Sequence, residues 1–301
     1  MRESERFRDL RSMSRDGNLR EARNDYREHP GCAPQSEIIV MNEVNRTLFI
    51  PLYGKARVSR QHIILNDPTA EQIWEKEAFP IRGKSASKWL AYNMAMRARV
   101  FDDWTDRMLS QEPNALVLHV GCGLDSRCRR VSQPYSNWID CDFPEVIAIR
   151  MQYFTETENY HMTALNAADV NQVSALPDSE TAIVILEGIS MYLTNRQLHD
   201  FFLTLQEKYH KLHILMDIYT EFGARASKYK NPVNDVGVTK LYGIDNIQSI
   251  LDGLQIKLTA EHSFTPPELV NELKTFDRQI FKMLFTGSLY RKIYRLFEFA
   301  L

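Results

Sequence analysis

The chain has 301 residues, 44% of them hydrophobic and 25% charged, with a formal net charge of −2. That composition suits a globular protein with a full core, and its near-neutral balance gives no basic footprint for nucleic acid. The apolar runs fall far short of the roughly 20 residues a membrane span needs, and the charged start does not read as a secretory signal, so the expectation is a cytoplasmic protein with no membrane partner.

Residues 1–35 mix arginines with acids and carry few large apolar residues, which reads as a mobile or helical arm. Residues 36–112 read as a helical cap punctuated by Pro51, Pro68 and Pro80. The longest helical pattern is SASKWLAYNMAMRARVFDDWTDRMLSQ, in which Trp89, Met96, Val100, Trp104 and Met108 share a face. From residue 113 the rhythm changes. Short apolar runs, ALVLHV (115–120), NWIDC (137–141), YHMTAL (160–165), AIVIL (182–186) and LHILMDI (212–218), alternate with helical segments. That alternation predicts a mostly parallel sheet with helices on both faces. The end differs: LQIKLTAEHSF and RKIYRLFEF read as paired strands, with PPELVNELKTFDRQIFKML as one helix between them. The four cysteines, Cys32, Cys122, Cys128 and Cys141, show no zinc-ligand spacing, so free thiols and no metal are expected.

The first strand runs into HVGCGLDSR. Gly121 and Gly123 allow positive φ and a close backbone approach. A helix starting near Ser126 would offer free N–H groups to an anion. Ser126 stands where a dinucleotide fingerprint wants its third glycine, and Asp125 where many methyl-donor enzymes carry one, so the turn alone decides neither. The second strand ends in WIDCDFPEV. A carboxylate there can accept both hydroxyls of a ribose. Asp140 and Asp142 lie on the same side of the strand; Asp142, nearest the loop, is preferred. Asp169 follows the third strand and can accept from an adenine amino group or cap a helix. Glu187 follows AIVIL, at the tip of a strand that reads as fully buried.

The segments NRTLFIPLYGKARVSR, NDPTAEQI, HVGCGLDSRCRR, DCDFPEVIAIR and LEGISMYL together resemble, in that order, the leucine carboxyl methyltransferase family, whose members include O-methyltransferases of the polyketide-biosynthesis type. The resemblance implies a Rossmann-like class I methyltransferase: an α/β fold with a seven-stranded, mostly parallel sheet, an antiparallel last strand and the helical cap. It implies S-adenosylmethionine as cofactor, bound by a domain over 113–301, and a small-molecule acceptor methylated at a carboxylate or hydroxyl. The implied donor set is Arg99, Gly121, Cys122, Gly123, Asp142, Asp169, Val170 and Glu187, with Arg97 a rival for Arg99. A hydroxyl acceptor would require a base, for which Tyr192, His199, Asp217 and Tyr219 are the candidates, and Tyr53 is a candidate acceptor contact. Two other readings remain at this point: a donor-binding module without catalysis, and a nicotinamide oxidoreductase.

Overall fold

The computed structural model describes residues 48–77, 83–230 and 241–301; the arm over 1–35 and Cys32 lie outside the described residues. Three helices lead: α1 (Phe49–Ser59), α2 (Pro68–Glu77) and α3 (Lys88–Gln111). Helix α3 starts after Ser87 in extended conformation and ends at Glu112, just ahead of Pro113.

The sheet then builds strand by strand. It contains β1 (Leu116–Val120), β2 (Asn137–Asp142), β3 (Tyr160–Ala164), β4 (Thr181–Leu186), β5 (Lys211–Tyr219), β6 (Lys257–His262) and β7 (Tyr294–Ala300). Their order is β3-β2-β1-β4-β5-β7-β6. The first five strands are mutually parallel, and β7 runs antiparallel to both β5 and β6. This is the seven-stranded sheet with an antiparallel last strand that the resemblance implies. Interleaved are α4 (Arg127–Arg130), α5 (Pro144–Arg150), α6 (Val170–Ser174), α7 (Asn195–Lys208), α8 (Glu221–Lys230) and α9 (Gln248–Leu251). Between β6 and β7 lie α10 (Pro267–Asn271), α11 (Thr275–Phe285) and α12 (Ser288–Arg291). The single helix read over 266–284 is therefore two. The chain turns extended at Lys274, and the Arg278 guanidinium donates to the Leu273 carbonyl at 3.1 and 3.3 Å, satisfying a group freed by the break.

Strand alternation divides the core. Leu116, Leu118, Val120, Ala182, Val184 and Leu186 point to one face and meet Phe201, Phe202 and Leu205 of α7. Val117, Ile183 and Ile185 point to the other and meet Phe101, Trp104 and Met108 of α3. A capping box between Thr194 and Gln197 starts α7, and Pro144 opens α5. The chain reverses its direction across the sheet between β1 and β4, so a crevice opens beyond their carboxyl ends. Helices α1 and α3 lie over that crevice and supply part of its wall. Among the described residues no helix is long and apolar enough to cross a membrane.

Candidate functional site

A cavity of about 880 Å³ fills the crevice. Its floor is the tips of β1, β2 and β4, and its roof comes from α1, α3 and the segment around α11 and α12. Gly121, Cys122, Gly123, Asp142 and Glu187 all line it.

The glycine turn is held from beneath. Gly121 N–H and Cys122 N–H both donate to the Cys141 carbonyl, at 2.8 and 3.1 Å, and Gly123 N–H donates to Asp142 at 2.7 Å. These amides are spent inside the protein, so the turn cradles no phosphate. Its contribution is bare backbone: φ is +72° at Gly121 and +53° at Gly123, and a Cβ on Gly121 would come within 2.8 Å of the Ile189 side chain. The expectation of an anion-binding helix end after the turn is also corrected. Helix α4 has four residues, and the Arg127 N–H is taken by the Asp125 carboxylate at 3.0 Å.

The two acids of β2 separate clearly. Asp140 is fully buried and accepts from Trp138 at 2.9 Å, Tyr160 at 2.7 Å and Arg150, with His119 also against it at 3.2 Å. Burial would raise its carboxyl, but Arg150 and His119 outweigh burial and hold it at about 2. Arg150 also donates to the Gly123 carbonyl at 3.0 Å, so this cluster braces the turn. Asp142 instead lies at the cavity wall with only two donors, the N–H groups of Gly123 and Phe143. Burial pushes its carboxyl up to about 6 against those two hydrogen bonds.

Glu187 sits between two arginines, Arg97 Nε at 3.0 Å and Arg127 Nη2. Burial raises its carboxyl, yet Arg97 and Arg127 bring it down to about 2. Arg97 also reaches Asp217 at 2.9 Å and the Tyr294 hydroxyl at 2.7 Å. Lys55 lines the cavity and pairs with Asp125 at 3.0 Å. Lys55 and Arg97 are thus cations in the wall, and Glu187 is the anion between them and the β4 tip.

Several expected residues lie elsewhere. Arg99 points away from the cavity, to Asp103 at 2.7 Å and the Ile64 carbonyl at 3.2 Å; Arg97, two residues earlier on α3, takes the place expected of it. Asp169 caps α6, accepting from Asn171 N, Gln172 N and Gln172 Nε2, and the wall stops at Ala168. Val170 is exposed as the first residue of α6. Of the base candidates, Tyr192 and Tyr219 line the cavity. His199 faces the α9 side, at 2.9 Å from the Ile250 carbonyl, outside the wall. Asp217 lies fully buried under the wall, accepting from Arg97, Gly188 N–H and Tyr294. Tyr53 donates to the Ala86 carbonyl at 3.1 Å and is not in the wall. Residues the sequence reading did not single out also face the cavity: Lys55, Asn93, Tyr290 and Tyr294. Lys55 stands inside one of the stretches that carry the family resemblance, which is the signal that could have found it. The other three come from α3 and the chain end, with no motif to mark them.

A family model for leucine carboxyl methyltransferase matches residues 49–206. Over 217 residues the chain is 30% identical to the tetracenomycin polyketide synthesis O-methyltransferase TcmP of Streptomyces glaucescens, covering 71% of this chain and 80% of that protein. Over 173 residues it is 27% identical to the S-adenosyl-L-methionine-dependent methyltransferase dpfgK of Gibberella zeae, covering 52% of this chain and 58% of that protein. Among solved structures, a SAM-dependent methyltransferase from Anabaena variabilis superposes with a TM-score of 0.47 at 13% identity, over 77% of this chain and 93% of that one.

Proposed function

The chain belongs to the leucine carboxyl methyltransferase family and is an S-adenosylmethionine-dependent methyltransferase, and from this premise we propose that it methylates an oxygen atom of a largely aromatic secondary metabolite. The observation that carries the acceptor class is the far half of the cavity. Trp89, Leu90, Phe285 and Tyr290 contribute an apolar and aromatic wall there, which suits an acceptor built around a ring system better than a small hydrophilic one. The relative whose name records polyketide O-methylation supports the same class.

The residues at the β-tips fit the cofactor. Asp142 would accept the ribose hydroxyls, with Gly121 and Gly123 letting the backbone come close. Lys55 and Arg97 would hold the donor carboxylate, Arg97 through Nη2, since its Nε is bonded to Glu187 and its Nη1 to Asp217 and Tyr294. Glu187 would face the cationic end. When bound, S-adenosylmethionine supplies a methyl group already activated on sulfonium. What remains for the protein is to hold the acceptor oxygen in line and to exclude water, and positioning of that kind supplies much of the rate. Cys122 lines the cavity beside the two glycines, and burial raises its thiol well above the ordinary value, which disfavours a nucleophilic role.

Calorimetry of the full chain with S-adenosylhomocysteine is expected to give saturable binding in the micromolar range, about −8 kcal/mol. Absence of binding at millimolar ligand would remove this donor site. Incubating extracts with isotopically labelled donor should then put label on an extractable aromatic compound; label confined to macromolecules would refute the acceptor class.

A further inference from the structure

Asp217 is a buried carboxylate with no access to an acceptor: it lies fully enclosed on β5, behind the cavity wall and outside its lining. Burial raises its carboxyl, as would suit a base, but the groups around it are donors. Its Oδ1 accepts from the Gly188 N–H at 2.7 Å, and its Oδ2 accepts from Arg97 Nη1 at 2.9 Å and from the Tyr294 hydroxyl. Strand pairing brings the tyrosine there. Tyr219 stands opposite Tyr294 across β5 and β7, and Asp217, two residues before Tyr219, shares its face. One carboxylate thus ties together α3, the segment after β4, and β7.

These bonds bear on a single guanidinium. Arginine has donors only, so the direction of each bond to it is fixed. Arg97 Nε donates to Glu187 at 3.0 Å, and Nη1 donates to Asp217 and, at 2.7 Å, to the Tyr294 hydroxyl. Nη2 makes no hydrogen bond among the described residues and is not enclosed, so it is the nitrogen that Arg97 turns to the cavity it lines. Gly188 lines the cavity beside it, with φ at +74°. A Cβ on Gly188 would stand 3.4 Å from both Nη1 and Nη2, so the guanidinium lies against bare backbone. Asp217 holds the guanidinium and that backbone at once. A long side chain fixed before its ligand arrives loses less freedom on binding.

We propose that Asp217 is a positioning residue for donor recognition: it sets the rotation of the Arg97 guanidinium over Gly188 so that Nη2 meets the carboxylate of S-adenosylmethionine, and it is not the base of the transfer. The assignment rests on the methyltransferase reading above. It carries a sign that simple electrostatics does not. By charge alone, removing an anion from beside the donor carboxylate would strengthen binding. If Asp217 acts by aiming Arg97, removing it weakens binding, and only for ligands that carry the carboxylate.

The test is calorimetry of the full chain with two ligands, S-adenosylhomocysteine and 5′-methylthioadenosine, which keeps the nucleoside and the sulfur but lacks the amino-acid end. Wild type is expected to bind both, S-adenosylhomocysteine the more tightly. Asp217→Asn should weaken S-adenosylhomocysteine at least about tenfold and leave 5′-methylthioadenosine within about threefold. Tyr294→Phe keeps the bond between Arg97 and Asp217 and should show the same selectivity with a smaller loss, which carries the test if Asp217→Asn does not fold. Equal losses for the two ligands would mean a general loosening of the site and overturn the proposal. Unchanged or tighter S-adenosylhomocysteine binding by Asp217→Asn overturns it as well. A wild type that binds neither ligand would overturn the donor reading itself, and this assignment with it.

Discussion

Replacing Arg127 by methionine is expected to remove about 3–5 kcal/mol of folding stability, the range for deleting one partner of a buried ion pair. Arg127 is fully buried at the centre of a charge network that joins four parts of the chain. Its guanidinium donates to Asp102 at 2.7 Å and to Glu187, and lies 3.3 Å from Asp125. Arg130 adds bonds to Asp67 and Asp125 at 2.7 Å and Asp102 at 2.8 Å, and Lys55 closes the set on Asp125. Burial opposes the charged form of Arg127, but the facing carboxylates win and keep it protonated at any working pH. Methionine has similar bulk, so the loss would be electrostatic: Glu187, Asp102 and Asp125 would each keep a buried charge with one counter-ion fewer. A domain has only about 5–15 kcal/mol of stability in all, so this one change is a large share of it. Urea unfolding followed by tryptophan fluorescence measures the loss. Arg127→Lys should lose less, since it keeps the charge and gives up the fork. Adding Glu187→Gln to the methionine variant should recover part of the loss, because one stranded charge goes with it. A loss below about 1 kcal/mol would mean these carboxylates are hydrated and the network is not a structural keystone.

The central strands and the sheet class were legible because β1, β4 and most of β2 and β5 are short apolar runs, and a run buried on both faces needs no partner information to be seen. The glycine turn and Asp142 were legible for a local reason too: both stand at the tip of such a run. What escaped was phase and commitment. Arg97 and Arg99 are two residues apart, about 200° around the helix, and both sit in a pattern rich in small and apolar residues; only the crevice on one side of α3 decides between them. Asp169 has the sequence of a strand-tip acid and equally of an N-cap, and the α6 amides claimed it. His199 follows a clear capping box, but which sheet face its helix covers is a matter of topology. The charge network was unreadable for a deeper reason. Arg127 meets partners 25 and 60 residues away, and no periodicity links such positions. Asn93 and Tyr290 are nearly two hundred residues apart and meet only because the β6–β7 excursion returns over α3.

Asp142 carries the second large effect, and its sign reverses between binding and folding. Asp142→Ala is expected to weaken S-adenosylhomocysteine by about 10- to 100-fold, since hydrogen bonds from neutral hydroxyls to a carboxylate are each worth about 1.5–3 kcal/mol. The wild-type affinity should also depend on pH. Burial lifts this carboxyl to about 6, with Glu145 pushing the same way and Arg150 and the Gly123 and Phe143 amides restraining it. Below that point the carboxyl is protonated and can no longer accept from two hydroxyls, so affinity should fall as pH drops from 7.5 to 5, approaching about tenfold per unit at the low end. Folding runs the other way. A folded carboxyl raised above its unfolded value of 3.8 binds a proton more readily in the native state, so its contribution to stability is full below about 4 and is lost as pH rises through about 6. Two histidines oppose that slope in whole-protein data, because burial lowers both His119 and His213. The comparison of wild type with Asp142→Asn isolates the term: the unliganded variant should lose the part of the pH slope between 4 and 6 that Asp142 carries, and its ligand affinity should be low and flat across the same interval. A wild-type affinity that stays level from pH 7.5 to 5 would show that the ribose is held by some other group, and that Asp142 serves only to pin Gly123 to the end of β2.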